Sequence, residues 1–519
     1  MKRNLKKISF IILAIGALFI IGTVAANYII KNKLEKFIQE RLPDNMIRDY
    51  DDITVETFSG SLSVSNASLI IKNKEDSVEP TFLNVEKLKI SNISYWDYLF
   101  SDEIHVKSIS LENPIITYYQ DKQKPSKDTI RSAVATIYKP IIVDQIKINN
   151  TKLTIYEHGK DSTKVYTNGL SLNLEGIKVD NKTVIRKIPF EYKSFEAKSD
   201  TVFVKVGAYE NLTVESFLVE NHKAIFKKLK LKTKYSKKEL SRIIPKERDH
   251  YDLSLESLSI EAFDFGFENS RFFAKSKMIT LNTPILDIYR DKLVADDLKP
   301  KPLYSKMLRD LPFALTVDSL KITDAKIKYA ERQKPENMGG SINFENLDAA
   351  IANVSNTYKS PTKTNLKVTA NFMGETPFTA DWSFDVQNKE DQFIFKAEAG
   401  SLIADKMNSF TEPNLKVRLE GRTHKTYFTI DGNNDTSRTD LKMNYSNFEI
   451  TVLQKDGKTK NKVLSTIANI FVSKDSSHSE DQYREGTGEA TRDKTKSVFN
   501  FLWVSVKNAL TNTLTGSGK

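Results

Sequence analysis

The chain has 519 residues, 39% hydrophobic and 28% charged, which is too apolar for a disordered polymer and too long for one ordinary core. Low glycine and proline (19 and 15) exclude collagen-like and low-complexity sequence, and the absence of cysteine excludes disulfides and Cys-ligated metal or iron–sulfur sites. The net charge of +11 is spread as Lys alternating with Asp and Glu, which describes a solvated surface or one beside anionic lipid and argues against nucleic acid as a partner.

Lys2, Arg3, Lys6 and Lys7 precede an uncharged, mostly apolar run from Ile8 to Ala26. About 19 helical residues rise about 28 Å, close to the hydrocarbon thickness of a bilayer. The expectation is a transmembrane anchor over residues 8–28, with residues 1–7 as a cytoplasmic tail and the bulk of the chain exported. Val24-Ala25-Ala26 keeps a cleaved signal peptide open as the rival. Over residues 31–42, Leu34, Phe37, Ile38 and Leu42 share one face of an amphipathic helix that Pro43 ends.

Residues 52–472 read as a β body. Leu62 and Val64, Ile109 and Leu111, Leu172 and Leu174, Leu366 and Val368 alternate with polar residues, the two-residue period of a sheet with one dry face. Such half-buried strands are expected to pair antiparallel. A loose repeat runs through them: Val/Ile-x-Ser-Ile/Leu-x-Ile/Leu-x-Asn/Asp, then a second apolar strand that often ends in Tyr. Copies begin at Val106, Val143, Val214, Leu255, Lys277 and Val317. Each reads as two short strands joined by a hairpin or bend at Asn or Asp. Short helices are expected over 128–138 after Ser126, over 240–244 behind a Ser236/Glu239 capping box, and over 303–311. Recurring units predict a quasi-one-dimensional body.

Residues 473–496 are polar and read as a flexible linker. Beyond it, Phe499, Leu502, Trp503, Val506 and Leu510 recur at helical spacing over 497–515. That helix either closes the open end of the sheet or binds a membrane surface or protein partner.

The N-terminal hydrophobic run, Phe58-Ser-Gly-Ser-Leu-Ser-Val-Ser-Asn-Ala-Ser-Leu69, Tyr95-Trp-Asp-Tyr-Leu-Phe100 and Ile104-His-Val-Lys-Ser-Ile-Ser-Leu-Glu-Asn-Pro114 come in an order that resembles the AsmA-like envelope proteins, related to the TamB group. The likeness covers residues 1–160, with the AsmA-like stretch of the body at about 52–160. It implies a mainly β, elongated, curved antiparallel β-sheet groove with short helices, preceded by one transmembrane helix in the inner membrane and projecting into the periplasm. It also implies lipid handling or support of outer-membrane homeostasis. On that reading the groove is lined by Leu62, Val64, Ile109, Leu111, Leu172, Leu174, Leu366 and Val368. The partner on that reading is membrane lipid; the alternative is a structural or scaffold envelope protein that binds other envelope proteins through its sheet edges and the C-terminal helix.

No catalytic constellation emerges. The six histidines lack partners at metal-ligand spacing, and there is no nucleophile elbow. Asp431, Asn433 and Asp435 have calcium-loop spacing, but Gly432 stands in the wrong place and a hairpin turn explains the run. The sequence therefore predicts no cofactor, no metal and no enzyme activity.

Overall fold

The computed structural model describes residues 2–40, 46–73, 78–122, 137–157, 162–454, 459–461, 465, 474–476 and 482–516, and its account of side chains excludes residues 2–16, 18, 37, 39 and 47. The helix expected over 128–138 falls mostly outside these residues. The chain is mainly β, 57% strand and 17% helix. It divides into two compact units, residues 1–206 with 213–221, and residues 207–212 with 222–519.

Unit 1 opens with helix α1 (Lys2–Glu40), which runs without a break through both N-terminal segments read from the sequence. Among the described residues no helix is long and apolar enough to cross a membrane. Much of the expected anchor, residues 8–16, lies outside the described side chains. The strands are β1 (Met46–Asp49), β2 (Asp52–Glu56), β3 (Ser61–Ile71), β4 (Thr81–Ile93), β5 (Ile104–Glu112), β6 (Ile115–Tyr119), β7 (Ile141–Tyr156), β8 (Thr163–Val179), β9 (Ser194–Ser199) and β10 (Thr201–Lys205). After β11 (Glu210–Val214), whose residues divide between the units, comes β12 (Ser216–Glu220).

Unit 2 holds β13 (Lys223–Thr233), β14 (Asp249–Glu261), β15 (Asp264–Glu268), β16 (Arg271–Asn282), β17 (Ile285–Asp291), β18 (Ala314–Arg332), β19 (Gly340–Ser355), β20 (Thr364–Phe372) and β21 (Thr376–Phe384). It continues with β22 (Phe393–Ala399), β23 (Leu402–Ile403), β24 (Val417–Gly432), β25 (Thr436–Val452) and β26 (Arg484–Thr491). Its helices are α2 (Lys237–Ile243), α3 (Tyr304–Arg309), α4 (Asn408–Leu415) and α5 (Val498–Thr515). The capping box before α2 forms as expected: the Ser236 hydroxyl accepts from the Glu239 backbone N–H, and the Glu239 carboxylate accepts from the Ser236 backbone N–H. The run 431–435 ends β24 and makes the turn into β25, with residues 433–435 between the two strands.

The two units repeat one arrangement. In unit 1, β4 pairs antiparallel with β5 and then with β6, both of which pair parallel with β7, and β7 pairs antiparallel with β8. In unit 2, β14 pairs antiparallel with β16 and β17, both pair parallel with β18, and β18 pairs antiparallel with β19. The break falls at Asn113-Pro114 in one and at Thr283-Pro284 in the other. Proline has no N–H to give the ladder, and the residue before it sits at positive φ, 50° and 46°. The neighbouring strand bridges both breaks alike. Asn113 N donates to Asn149 O at 3.0 Å and Lys152 N to Pro114 O at 2.9 Å, against Thr283 N to Thr323 O at 2.9 Å and Lys326 N to Pro284 O at 2.8 Å.

One sequence expectation is corrected here and one open alternative is decided. The sheets are mixed, not purely antiparallel. A parallel neighbour requires a crossover, which falls between β6 and β7 in unit 1 and, in unit 2, along the α3-bearing stretch 292–313. The paired short strands of the repeat, where β5 meets β6 and β16 meets β17, form a bend and not a hairpin, since both halves run the same way along β7 or β18. Successive repeat copies therefore lie side by side in register: Val106 beside Val143, Ile109 beside Ile146, Leu111 beside Ile148.

The linker is also corrected. Residues 484–491 form β26, paired antiparallel with β25. The residues after it are pinned: Lys301 N donates to Lys494 O at 2.7 Å, and Lys496 pairs with Asp296 at 3.0 Å. Low apolar content misled the reading because Gly486 and Gly488 serve helix packing instead of flexibility.

Candidate functional site

Strand alternation in unit 1 sorts side chains into pure rows. Leu62 opposes Ile90, Ile90 opposes Ile109, Ile109 opposes Ile146, Ile146 opposes Leu174, and Leu174 opposes Phe195. The next row runs Val64, Leu88, Leu111, Ile148, Leu172 and Ala197. Between them, on the opposite face, run Ser63, Lys89, Ser110, Lys147, Asn173 and Glu196. With β2, which opposes Val55 and Ile53 to Leu62 and Val64, seven strands carry these rows. At about 4.8 Å per strand the apolar band is roughly 29 Å wide.

A third row, Ile93, Val106, Val143 and Ile177, packs tightly. By contrast, the two upper rows are mostly half-buried, with Leu62, Ile109, Leu111, Leu172 and Leu174 all partly open and Val64 buried. Among the described residues of unit 1, the extensive contacts of these strands are with neighbouring strands, and no second sheet packs across them. All six sequence-chosen residues of unit 1 are thus brought onto one face. That face is apolar side by side as well as along each strand, a property that alternation within single strands could not show.

Leu366 and Val368 are placed differently. Their rows in unit 2 also cross many strands: Ile279, Leu320, Ile351, Leu366, Trp382, Phe395 and Ile430 oppose one another in turn. Here, however, the band is roofed. Leu366 packs against the core formed by Leu303, Trp382, Phe393, Ile430, Phe501 and Leu502, and Val368 packs against Ala325, Leu347, Ala349 and Ala370. Leu366 and Val368 are half-buried beside packed clusters, unlike the open rows of unit 1.

The roof is α5. Ser497 caps it, and Val498, Phe501, Leu502, Ser505, Ala509 and Thr513 are buried. Val506 and Leu510 pack against the same cores. Asn508 and Asn512 donate through Nδ2 to the carbonyls of Glu489 and Thr487 at 2.8 and 2.7 Å, satisfying the outer edge of β26. Of the two readings of this helix, Leu502, Val506 and Leu510 follow the packed one, while Phe499 and Trp503 stay on its exposed side. A polar strand with two glycines offered the seat, and that seat was invisible while 473–496 was read as a linker.

Sequence reasoning also missed a histidine. His105 Nδ1 lies 3.0 Å from Asp97 and its Nε2 2.9 Å from Asp144. The hydrogen bonds to Asp144 and then Asp97 hold its pKa above the usual imidazole value, against partial burial. Asp97, Glu103 and His105 have ligand atoms within 4.8 Å of one another, but both ring nitrogens are already engaged, so the group reads as a charge clamp. A single sequence gives no sign of it, because Asp144 comes from the parallel copy. The clamp's contribution to stability is full below the unfolded histidine pKa and is lost as pH rises through the raised folded value. His105→Gln is therefore expected to lower the melting temperature at pH 5.5 and to matter progressively less toward pH 9. A melting difference that stayed constant or grew with pH would contradict the clamp.

No family model and no curated protein matches the chain.

Proposed function

We propose that this chain is a non-enzymatic, membrane-anchored envelope protein that holds or passes lipid along the apolar face of unit 1. The observation that carries this is the pair of apolar rows shared by seven strands, half-open, opposite a face of Ser, Lys, Asn and Glu. A sheet with one apolar face must bury it on something. An acyl chain laid across these rows gains about 0.8 kcal/mol per buried CH₂. The hydrophobic N-terminal run after Lys2, Arg3, Lys6 and Lys7 supports an inner-membrane anchor with the bulk in the periplasm, and the AsmA-like order of motifs in residues 1–160 supports the lipid class. The scaffold alternative loses its main support, since α5 is occupied by its own sheet.

The reading is tested by photo-crosslinking in cells with p-benzoylphenylalanine placed at Leu111 or Leu172 on the apolar face and at Ser110 or Ser171 on the polar one. Phospholipid adducts are expected from the first pair and not from the second. Adducts to a protein alone, or equal lipid adducts from both faces, overturn it.

A further inference from the structure

A second apolar feature of unit 1 is not explained by its sheet. The turn Tyr95–Phe100 exposes Trp96 (69%), Leu99 (69%) and Phe100 (68%), with the Trp96 and Phe100 rings 4.2 Å apart. Five large apolar or aromatic side chains, counting Tyr95 and Tyr98, stand together in one short turn, where isolated exposure would need no explanation.

The turn is held firmly. Asp97 is fastened to His105, Tyr98 accepts a hydrogen bond on its carbonyl from Lys139 Nζ at 2.8 Å, and the same ammonium sits 4.1 Å from the Tyr98 ring centre. The exposed side chains are thus presented on a fixed frame and do not collapse onto the sheet.

Its position identifies what it meets. Tyr95 Oη donates to Thr57 O at 2.7 Å, and Thr57 N donates to Asn27 Oδ1 at 2.7 Å, so the turn is tied through one residue to α1. Beside this tie, Phe58 meets Phe19 of α1 edge-on at 5.6 Å. Asn27 is the first polar residue after the hydrophobic run, and Phe19 lies inside that run. Between these two points the helix rises about 12 Å, so the tie at Asn27 marks the end of the hydrophobic run and Phe19 lies deeper along it. Trp and Tyr, each with an apolar body and one polar tip, are the residues that settle at that depth.

We propose that the aromatic turn 95–100 seats in the headgroup layer of a phospholipid bilayer beside the emerging N-terminal helix, holding unit 1 against the membrane at a second point. This rests on the anchor reading above and adds the surface through which the body meets lipid. A body so held presents its apolar rows next to the source of acyl chains.

The test uses the full chain reconstituted in phosphatidylethanolamine/phosphatidylglycerol nanodiscs, with and without lipids brominated near the carbonyl end. The chain has three tryptophans; Trp382 is buried and Trp503 is partly exposed, so both proteins carry Trp503→Phe and Trp96→Phe on that background isolates the signal of interest. Bromolipid is expected to quench the fluorescence of the Trp503→Phe parent, and W96F is expected to lose most of that quenching while melting at an unchanged temperature. If the chain stays in the disc and quenching is the same in W96F, the turn proposal falls and the anchor stands. If the chain does not stay with the disc at all, both fall. A protein crosslinked through p-benzoylphenylalanine at Leu99, with no quenching at Trp96, replaces the bilayer with a protein partner.

Discussion

Gly488→Val is expected to strip α5 from the sheet. A Cβ at Gly488 would stand 2.4 Å from the backbone N of Ala509, and one at Gly486 would stand 2.7 Å from that of Thr513, so helix backbone and not a pliable side chain blocks both positions. Ala509 is itself completely buried, leaving nothing small to give way. Overpacking of this kind costs about 1–3 kcal/mol and sometimes more. The damage exceeds the local clash, because α5 roofs two clusters at once and its Ser505 hydroxyl is 2.7 Å from that of Ser437 in the interior. Limited proteolysis should cut G488V between β26 and α5 at low protease, where the wild type resists. Equal resistance in both proteins would mean that α5 does not depend on this seat.

The other large effect is expected from Trp382→Ala. Trp382 is 6% exposed and packs its ring against Tyr304, Phe384, Phe393 and Phe395 at centroid distances of 5.4 to 6.2 Å. Truncating a buried aromatic to alanine costs about 3–5 kcal/mol. Among the described residues its indole Nε1 has no hydrogen-bond partner, so the contribution is packing. Trp382→Phe should therefore keep most of the stability that W382A loses in urea unfolding. A W382F variant as unstable as W382A would point to a polar role for the indole.

The β class was legible, and so was the shared face of Leu62, Val64, Ile109, Leu111, Leu172 and Leu174, because alternation is a local property, written within each strand. The repeat was legible too, but its meaning was not. Val106-Lys-Ser-Ile-Ser-Leu and Val143-Asp-Gln-Ile-Lys-Ile fitted hairpin and bend alike, and only pairing shows them as parallel neighbours in register. What decides between the two is the direction in which the intervening segment returns, and no residue in either copy encodes that. The fate of Leu366 was hidden for a similar reason. It has the same alternation as Leu172, yet Leu366 packs into a cluster to which Leu303, Phe501 and Leu502 come from distant parts of the chain. Tyr95 to Phe100 was noticed as a motif, but whether its rings point inward or outward depends on the fixed frame beneath it, which includes His105 and Lys139.

Adjacent copies that match in register make a chain that can grow by accretion. A strand whose apolar positions fit a near-replica offers a third replica an equally good berth. Each added copy, with its bend and returning partner, would widen the greasy band by about 10 Å, two strand spacings, without any redesign of an existing interior. Loss of half a copy is a different matter. It would set unlike strands side by side and turn lysines toward the oily side. Changes in length are therefore tolerable here in whole modules and costly in fractions of one.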